Sequence, residues 1–263
     1  MRLGYVQTQP QFGEVERNFA RAAALMGRGQ ADVWVLPELF ASGYQFTSRR
    51  EVRALAEPIP AGETVRRLAR LAAHLGCYIA AGLPERAAKR VYNSAVLVGP
   101  SGLVAHYRKV HLFYQEKDHF APGNLPFPVA DCEGIKVGLM ICFDHLFPEA
   151  ARTLALRGAE VIAHPANLVL AGVAQLTMRV RALENRVFTV TANRTGAEDR
   201  GEERLQFTGR SLIVSPRGEI LAQSNDTDEE ARAVCVDLAL ARDKHVTAVN
   251  HLLADRRPEM YRG

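Results

Sequence analysis

Apolar positions along the 263-residue chain fall into two alternating kinds of run. Short, almost unbroken runs read as buried strands: "RLGYVQT", "ADVWVLPEL" stopped by Pro37, "CYIAAGL", "AEVIAHP" and "VFTVTAN". Between them lie stretches with apolar residues at helical spacing. These are "VERNFARAAALMGRG", ending at Gly27 to Gly29, "GETVRRLARLAAHLG", with Gly76 as its stop, "EAARTLALRG" and "AQLTMRVRALENR". Two segments read as hairpins, "NSAVLVGPSGLVAHYRK" turning at Pro100-Ser101-Gly102 and "RSLIVSPRGEILAQS" turning at Pro216 to Gly218.

The two halves of the chain match. "RGQADVWVLPEL" parallels "LRGAEVIAHPANL", and "SAVLVGPSGLVA" parallels "SLIVSPRGEIL". A repeat this long is not a solenoid. It predicts two similar halves packed sheet against sheet, because strands covered on both faces have no polar side to show. The expected fold is α/β, a four-layer α-β-β-α sandwich with an internal pseudo-twofold repeat, and one domain spanning 1–263. The Glu- and Arg-rich stretch 194–206 is expected to be a mobile surface loop.

Composition narrows the class. Hydrophobic residues make up 48% and charged residues 24%, enough for a sizeable core in a globular protein. The net charge of +4 comes from scattered Arg with no basic block, which points away from nucleic acid. Cysteines stand at 77, 132, 142 and 235 with no CxxC spacing, as expected of reduced thiols in a cytoplasmic protein. The N-terminus carries no apolar signal region, and no stretch is long enough for a bilayer span.

Candidate chemistry begins at "GLMICFDHLFPE", where a strand pattern ends at Cys142 and Pro148-Glu149 fits a first helical turn. A strand-to-helix turn presents a nucleophile well. Cysteine is also a common buried residue, so Cys142 is either packing or chemistry at this point. A nucleophilic thiol needs a base or a cation. His145 stands three residues away, within possible reach, or lines a pocket. Glu38 ends the "VWVLPEL" strand, where α/β sheets place their sites, and burial there would make it a usable base; otherwise it is a solvated loop residue. "HYRKVHLFYQEKDHFAPG" offers Lys109, suited to a developing oxyanion or simply exposed, and Glu116, a second carboxylate or a surface group. His106, His111 and His119 match no common zinc spacing, so no metal is expected.

In that order and spacing, "LPELFASGY", "YRKVHLF", "EKDHFAPG" and "ICFDHLFPE" resemble the nitrilase superfamily of carbon–nitrogen hydrolases, and "HPAN" and "RALENRVF" match further family segments. The resemblance covers nearly the whole chain and is closest to short amidases and small-nitrile hydrolases. It implies a Glu38–Lys109–Cys142 triad with Glu116 as an additional glutamate, no cofactor, and the sandwich already expected. It also implies dimers formed through the helices near 148–157 and 175–186, giving an α-β-β-α-α-β-β-α assembly, with the C-terminal tail often crossing to the partner. The implied reaction is hydrolysis of a small linear amide to ammonia and an acid through a thioester, with Lys109 and the Phe143 N–H holding the oxyanion. The alternatives are a nitrilase for small aliphatic nitriles, an acyl transferase, and a non-catalytic binding protein that keeps the fold. Tyr44, Phe113, Phe143, His145 and Asn167 are the substrate-pocket candidates. "CFD" is closer to the amidase and carbamoylase branches than to the "CWE" of large arylnitrilases.

Overall fold

The computed structural model describes residues 1–261. Its helices are α1 (Val15–Met26), α2 (Arg49–Leu55), α3 (Glu63–Leu75), α4 (Glu116–His119), α5 (Pro148–Leu156), α6 (Val173–Asn185) and α7 (Ala239–Arg242). Its strands in the first half are β1 (Arg2–Gln7), β2 (Val33–Val35), β3 (Tyr78–Ala87), β4 (Arg90–Gly99) and β5 (Gly102–Arg108). The rest are β6 (Val129–Asp131), β7 (Lys136–Leu139), β8 (Val161–Pro165), β9 (Phe188–Ala192), β10 (Ala197–Asp199), β11 (Arg204–Gln206), β12 (Leu212–Val214), β13 (Ile220–Gln223) and β14 (Glu230–Cys235).

Two six-stranded sheets repeat one design. Read from one edge, they run β14-β1-β2-β3-β4-β5 and β6-β7-β8-β9-β12-β13. Successive neighbours are antiparallel, parallel, parallel, antiparallel, antiparallel in both. The internal repeat expected from the matching segments is therefore a repeat of strand topology. One edge strand breaks the chain order: β14 returns from the far end of the sequence to pair with β1.

Alternate side chains of one strand enter different cores, which is why the strand runs look uniformly apolar. Val33 and Val35 join Leu3, Tyr5, Leu139, Val161 and Val190 between the sheets. Trp34 turns the other way and packs with Phe19 of α1 and Leu68 of α3. On the opposite side, Leu154 of α5 and Met178 of α6 cover Met140 and Ile162. The order is helix, sheet, sheet, helix. Each fully buried leucine, such as Leu68 or Leu154, contributes about 1.5–3 kcal/mol through burial. The helix ends follow the sequence signals: Gly76 takes a left-handed cap at φ 63°, and Pro148 opens α5.

The stretch 194–206 is not a mobile surface loop. Arg194 is fully buried, forms an ion pair with Glu198 and stacks over the Phe207 ring. Glu198 accepts hydrogen bonds from the backbone N–H groups of Tyr44 and Gln45, at 3.1 and 2.5 Å. The β10–β11 hairpin thus fastens the segment after Glu38, while Asp199, residues 201–204 and Gln206 are exposed. Charge in the sequence signalled solvent, which holds for the exposed Glu202, Glu203 and Arg204, but Arg194 and Glu198 are paired with each other inside.

Candidate active site

Glu38, Cys142 and Asn167 follow β2, β7 and β8, three parallel-paired strands. Lys109 follows β5, which two antiparallel steps return to the direction of β3. All four therefore leave their sheets at strand carboxyl ends, where open α/β sheets place ligands. Gly82 in β3 makes room for the Glu38 segment, since a methyl group there would stand 2.5 Å from the Glu38 Cα.

Glu38 and Lys109 are completely buried. The Lys109 ammonium donates to Glu38 Oε1 at 2.6 Å and to Glu116 Oε1 at 2.7 Å. Asn93 Nδ2 donates to the same Glu38 oxygen at 2.7 Å. The Tyr44 hydroxyl donates to Glu116 Oε1 at 2.7 Å, and the Phe113 N–H to Glu116 Oε2 at 3.1 Å. Glu38 Oε2 has no partner among the described residues, which leaves one carboxylate oxygen free to accept a proton. Burial raises the Glu38 carboxyl to about 7, against the pull of the Lys109 ammonium. Burial alone would strip the Lys109 proton, but Glu116 and Glu38 outweigh it and hold the ammonium charged.

Cys142 is buried, with Sγ 3.8 Å from the Asn167 carbonyl oxygen. Burial, and next the Glu38 charge, push the thiol well above its ordinary value. That direction favours the neutral thiol at rest, whereas it is a thiolate that attacks carbon. Its backbone is left-handed, φ 40°, and so are Leu39 after Glu38 (51°) and Tyr114 before Glu116 (47°). Non-glycine residues held there cost roughly 1–2 kcal/mol each, and such strain gathers at functional sites.

The turn after Cys142 is a 3-10 turn, Cys142–Leu146. Asp144 fixes it from behind. Its Oδ2 accepts from Ile141 N–H at 2.9 Å and from the Tyr107 hydroxyl at 2.8 Å, and its Oδ1 lies 2.7 Å from His111 Nδ1. Asp144 is thus an anchor in the sheet interior and does not face the pocket. The first N–H groups of such a turn have no partner within it, which leaves the Phe143 N–H for a ligand.

A narrow cleft stands over Cys142. Phe113, Phe143, His145 and Asn167 line it, together with Leu146, Leu168, Val169, Leu170 and Val173. Tyr44 does not. It lines a separate cavity beside Glu116, Tyr114 and His119, and reaches the catalytic cluster only through its hydroxyl. His145 is no base for the thiol: its Nδ1 sits 2.6 Å from Thr177 Oγ1, and burial lowers it to about 4, so it is a neutral wall residue. His106 pairs with Glu85 and His111 with Asp144, so the histidines near Lys109 do not converge, and no group of three or more metal-ligating side chains does among the described residues.

Sequence reasoning missed Asn93, the wall 168–173 and the anchoring role of Asp144. An amide in the apolar strand "VYNSAVLV" and the apolar run "NLVLAGV" after Asn167 were the available signals.

The likenesses agree with this arrangement. The carbon-nitrogen hydrolase model matches residues 2–245. A nitrilase of Pyrococcus abyssi (strain GE5 / Orsay) is 49% identical over 99% of this chain and 99% of its own. An (R)-stereoselective amidase of a Pseudomonas species is 36% identical over 98% of this chain and 92% of its own. Among solved structures, an amidase from Nesterenkonia sp. AN1, in a mutant form carrying acrylamide added at its active site cysteine, aligns with a TM-score of 0.79 and 26% identity over 99% of this chain and 98% of its own. With the fold, the ordered motifs and these relatives together, the chain belongs to the carbon–nitrogen hydrolase family, the nitrilase superfamily, and is one of its enzymes.

Proposed function

We propose that residues 1–263 act as one catalytic domain that hydrolyses a small, uncharged aliphatic amide to ammonia and a carboxylic acid. The observation that carries this reading is the cleft wall. Around Cys142 it is built of Leu, Val and Phe with neutral His145 and Asn167, and among the described residues no side chain with a fixed charge lines it. A charged acyl group would lose its hydration there without a partner.

The proposed steps follow from the groups present. Glu38 takes the thiol proton, and Cys142 Sγ attacks the amide carbon. The Lys109 ammonium and the Phe143 N–H hold the oxyanion. Glu38 returns the proton to the leaving nitrogen, ammonia departs, and a thioester remains. Glu38 then draws a proton from water, whose oxygen attacks the thioester carbon; the C–S bond breaks, the acid leaves, and the proton on Glu38 returns to the Cys142 thiolate. Glu116 keeps Lys109 in place. Two buried acceptors support an amide over a nitrile. Asn167 donates Nδ2 to the Glu38 carbonyl at 2.9 Å, and its buried Oδ1, like Glu38 Oε2, has no partner among the described residues. An amide NH2 supplies donors to them; a nitrile supplies none. The nitrilase reading stays as the second, motivated by the relative at 49% identity.

A panel of acetamide to hexanamide, the matching nitriles, and amides bearing a carboxylate or an amine separates the readings. Ammonia release is expected from the short neutral amides, with kcat/KM at least about 100-fold lower for charged ones, as an unpaired buried charge imposes. Turnover of nitriles with no amide accepted would overturn the amide reading. With Glu38 as the base, kcat/KM should rise as pH passes upward through about 7, because the protonated carboxyl below that pH cannot take the thiol proton. A flat profile between pH 5 and 8 would remove Glu38 from that role.

We also propose that the chain dimerises through α5 and α6. α6 exposes Leu176, Val180 and Leu183 on one stripe, and α5 exposes Leu156. Leu176→Asp with Val180→Asp should give monomers by light scattering, whereas a wild-type monomer would refute the proposal.

A further inference from the structure

His164 has no part in the steps above, yet it touches the nucleophile's own backbone. It lies in β8, completely buried, with Nε2 2.9 Å from the Cys142 carbonyl oxygen. A carbonyl can only accept, so Nε2 carries the hydrogen. In a neutral ring Nδ1 is then the acceptor, and 3.0 Å from it stands Thr191 Oγ1, on the neighbouring strand β9. His164 and Thr191 are register partners in the parallel β8–β9 pair, so the sheet itself sets the ring's orientation. Burial lowers the ring to about 3, which keeps it neutral through the working pH range. The result is a directed chain: Thr191 hydroxyl to His164 Nδ1, and His164 Nε2–H to the Cys142 carbonyl.

The far end of that chain is the peptide whose other half is the Phe143 N–H. A hydrogen bond to a carbonyl draws electron density to its oxygen and strengthens the N–H of the same amide as a donor. Cys142 is also held left-handed at φ 40°, so the plane of this peptide needs an external hold. We propose that His164 is a positioning residue for the oxyanion: it fixes the orientation of the Cys142–Phe143 peptide and strengthens its N–H toward the reacting carbon. This rests on the Phe143 N–H serving as an oxyanion donor in the proposed function. Thr191 acts through His164 by holding the tautomer.

Two reactions of one thiol separate this role from a structural one. Acylation of Cys142 by p-nitrophenyl acetate passes through an oxyanion; alkylation by iodoacetamide does not build one at the attacked carbon. In His164→Phe, which keeps a ring and removes the donor, acylation should fall about 10- to 100-fold, a fraction of the loss on deleting an oxyanion donor outright. Alkylation should stay within about 3-fold, because the Cys142 thiol, Glu38 and Lys109 are untouched. His164→Gln, which restores an N–H donor, should recover most of the acylation rate. Thr191→Val should lower acylation alone by a smaller factor, and it carries the test if His164→Phe fails to fold. Acylation and alkylation falling together, or acylation unchanged in a folded His164→Phe, overturns the proposal. An enzyme that releases no ammonia from any amide, but whose His164 variants lose acylation selectively, would refute the amide reading and leave this inference standing.

Discussion

Lys109→Met is expected to abolish turnover and to destabilise the protein by about 3–5 kcal/mol, the usual effect of removing one partner from a buried ion pair. The ammonium has no exposed surface and is the hydrogen-bond donor shared by Glu38 and Glu116. Methionine fills the same volume but leaves two carboxylates facing each other without a cation. They must then either repel in a dry interior or take up a proton. Glu38 in its protonated form cannot deprotonate the thiol, so catalysis would fail twice, through the base and through the oxyanion. Adding Glu38→Gln to Lys109→Met should recover part of the stability and none of the activity. Urea denaturation and ammonia release read the two effects separately. Full stability in the single variant would mean that the charges of the cluster are not arranged as described.

Cys142→Ala should behave in the opposite way. Loss of a nucleophile that works as part of a catalytic unit costs about 10⁶-fold in kcat, while removal of one sulfur from the end of β7 should change stability by about 1 kcal/mol or less. The turn is held by Asp144, Tyr107 and the backbone of Ile141, none of which involves the sulfur. Ammonia release should vanish with the melting temperature nearly unchanged. Among the described residues, Cys77 and Cys132 are also buried thiols, but the charges that act on them are Asp32, and Asp131 with Glu133, not Glu38 and Lys109, so neither replaces it as a nucleophile.

Much of this is legible in the sequence, for physical reasons that differ from element to element. The central strands could be read because both faces of β2 and β8 are covered, which forbids polar residues and leaves an unbroken apolar run. The helices α3 and α5 could be read from their caps, Gly76 and Pro148. β14 could not, because its side chains are only partly buried and its partner lies more than 220 residues away. No local pattern encodes such a pairing. In the 194–206 hairpin the buried Arg194–Glu198 pair looks, in a sequence, like the solvated charges beside it. At the site, Cys142, Glu38 and Lys109 were each ambiguous alone and became specific through the order of the motifs. Asn93, Asp144 and His164 stayed hidden because their roles are hydrogen bonds to other residues' atoms across sheets. Tyr44 meets the cluster from the side of Glu116, which sequence distance from Glu38 does not tell.

Rapid-quench intact-mass spectrometry during turnover of a short neutral amide examines the thioester itself. A mass increase equal to the acyl group, located by peptide mapping to Cys142 and missing from Cys142→Ala, is the expected result. Ammonia release that persists in Cys142→Ala, or an acyl group located on any other residue, would contradict the account.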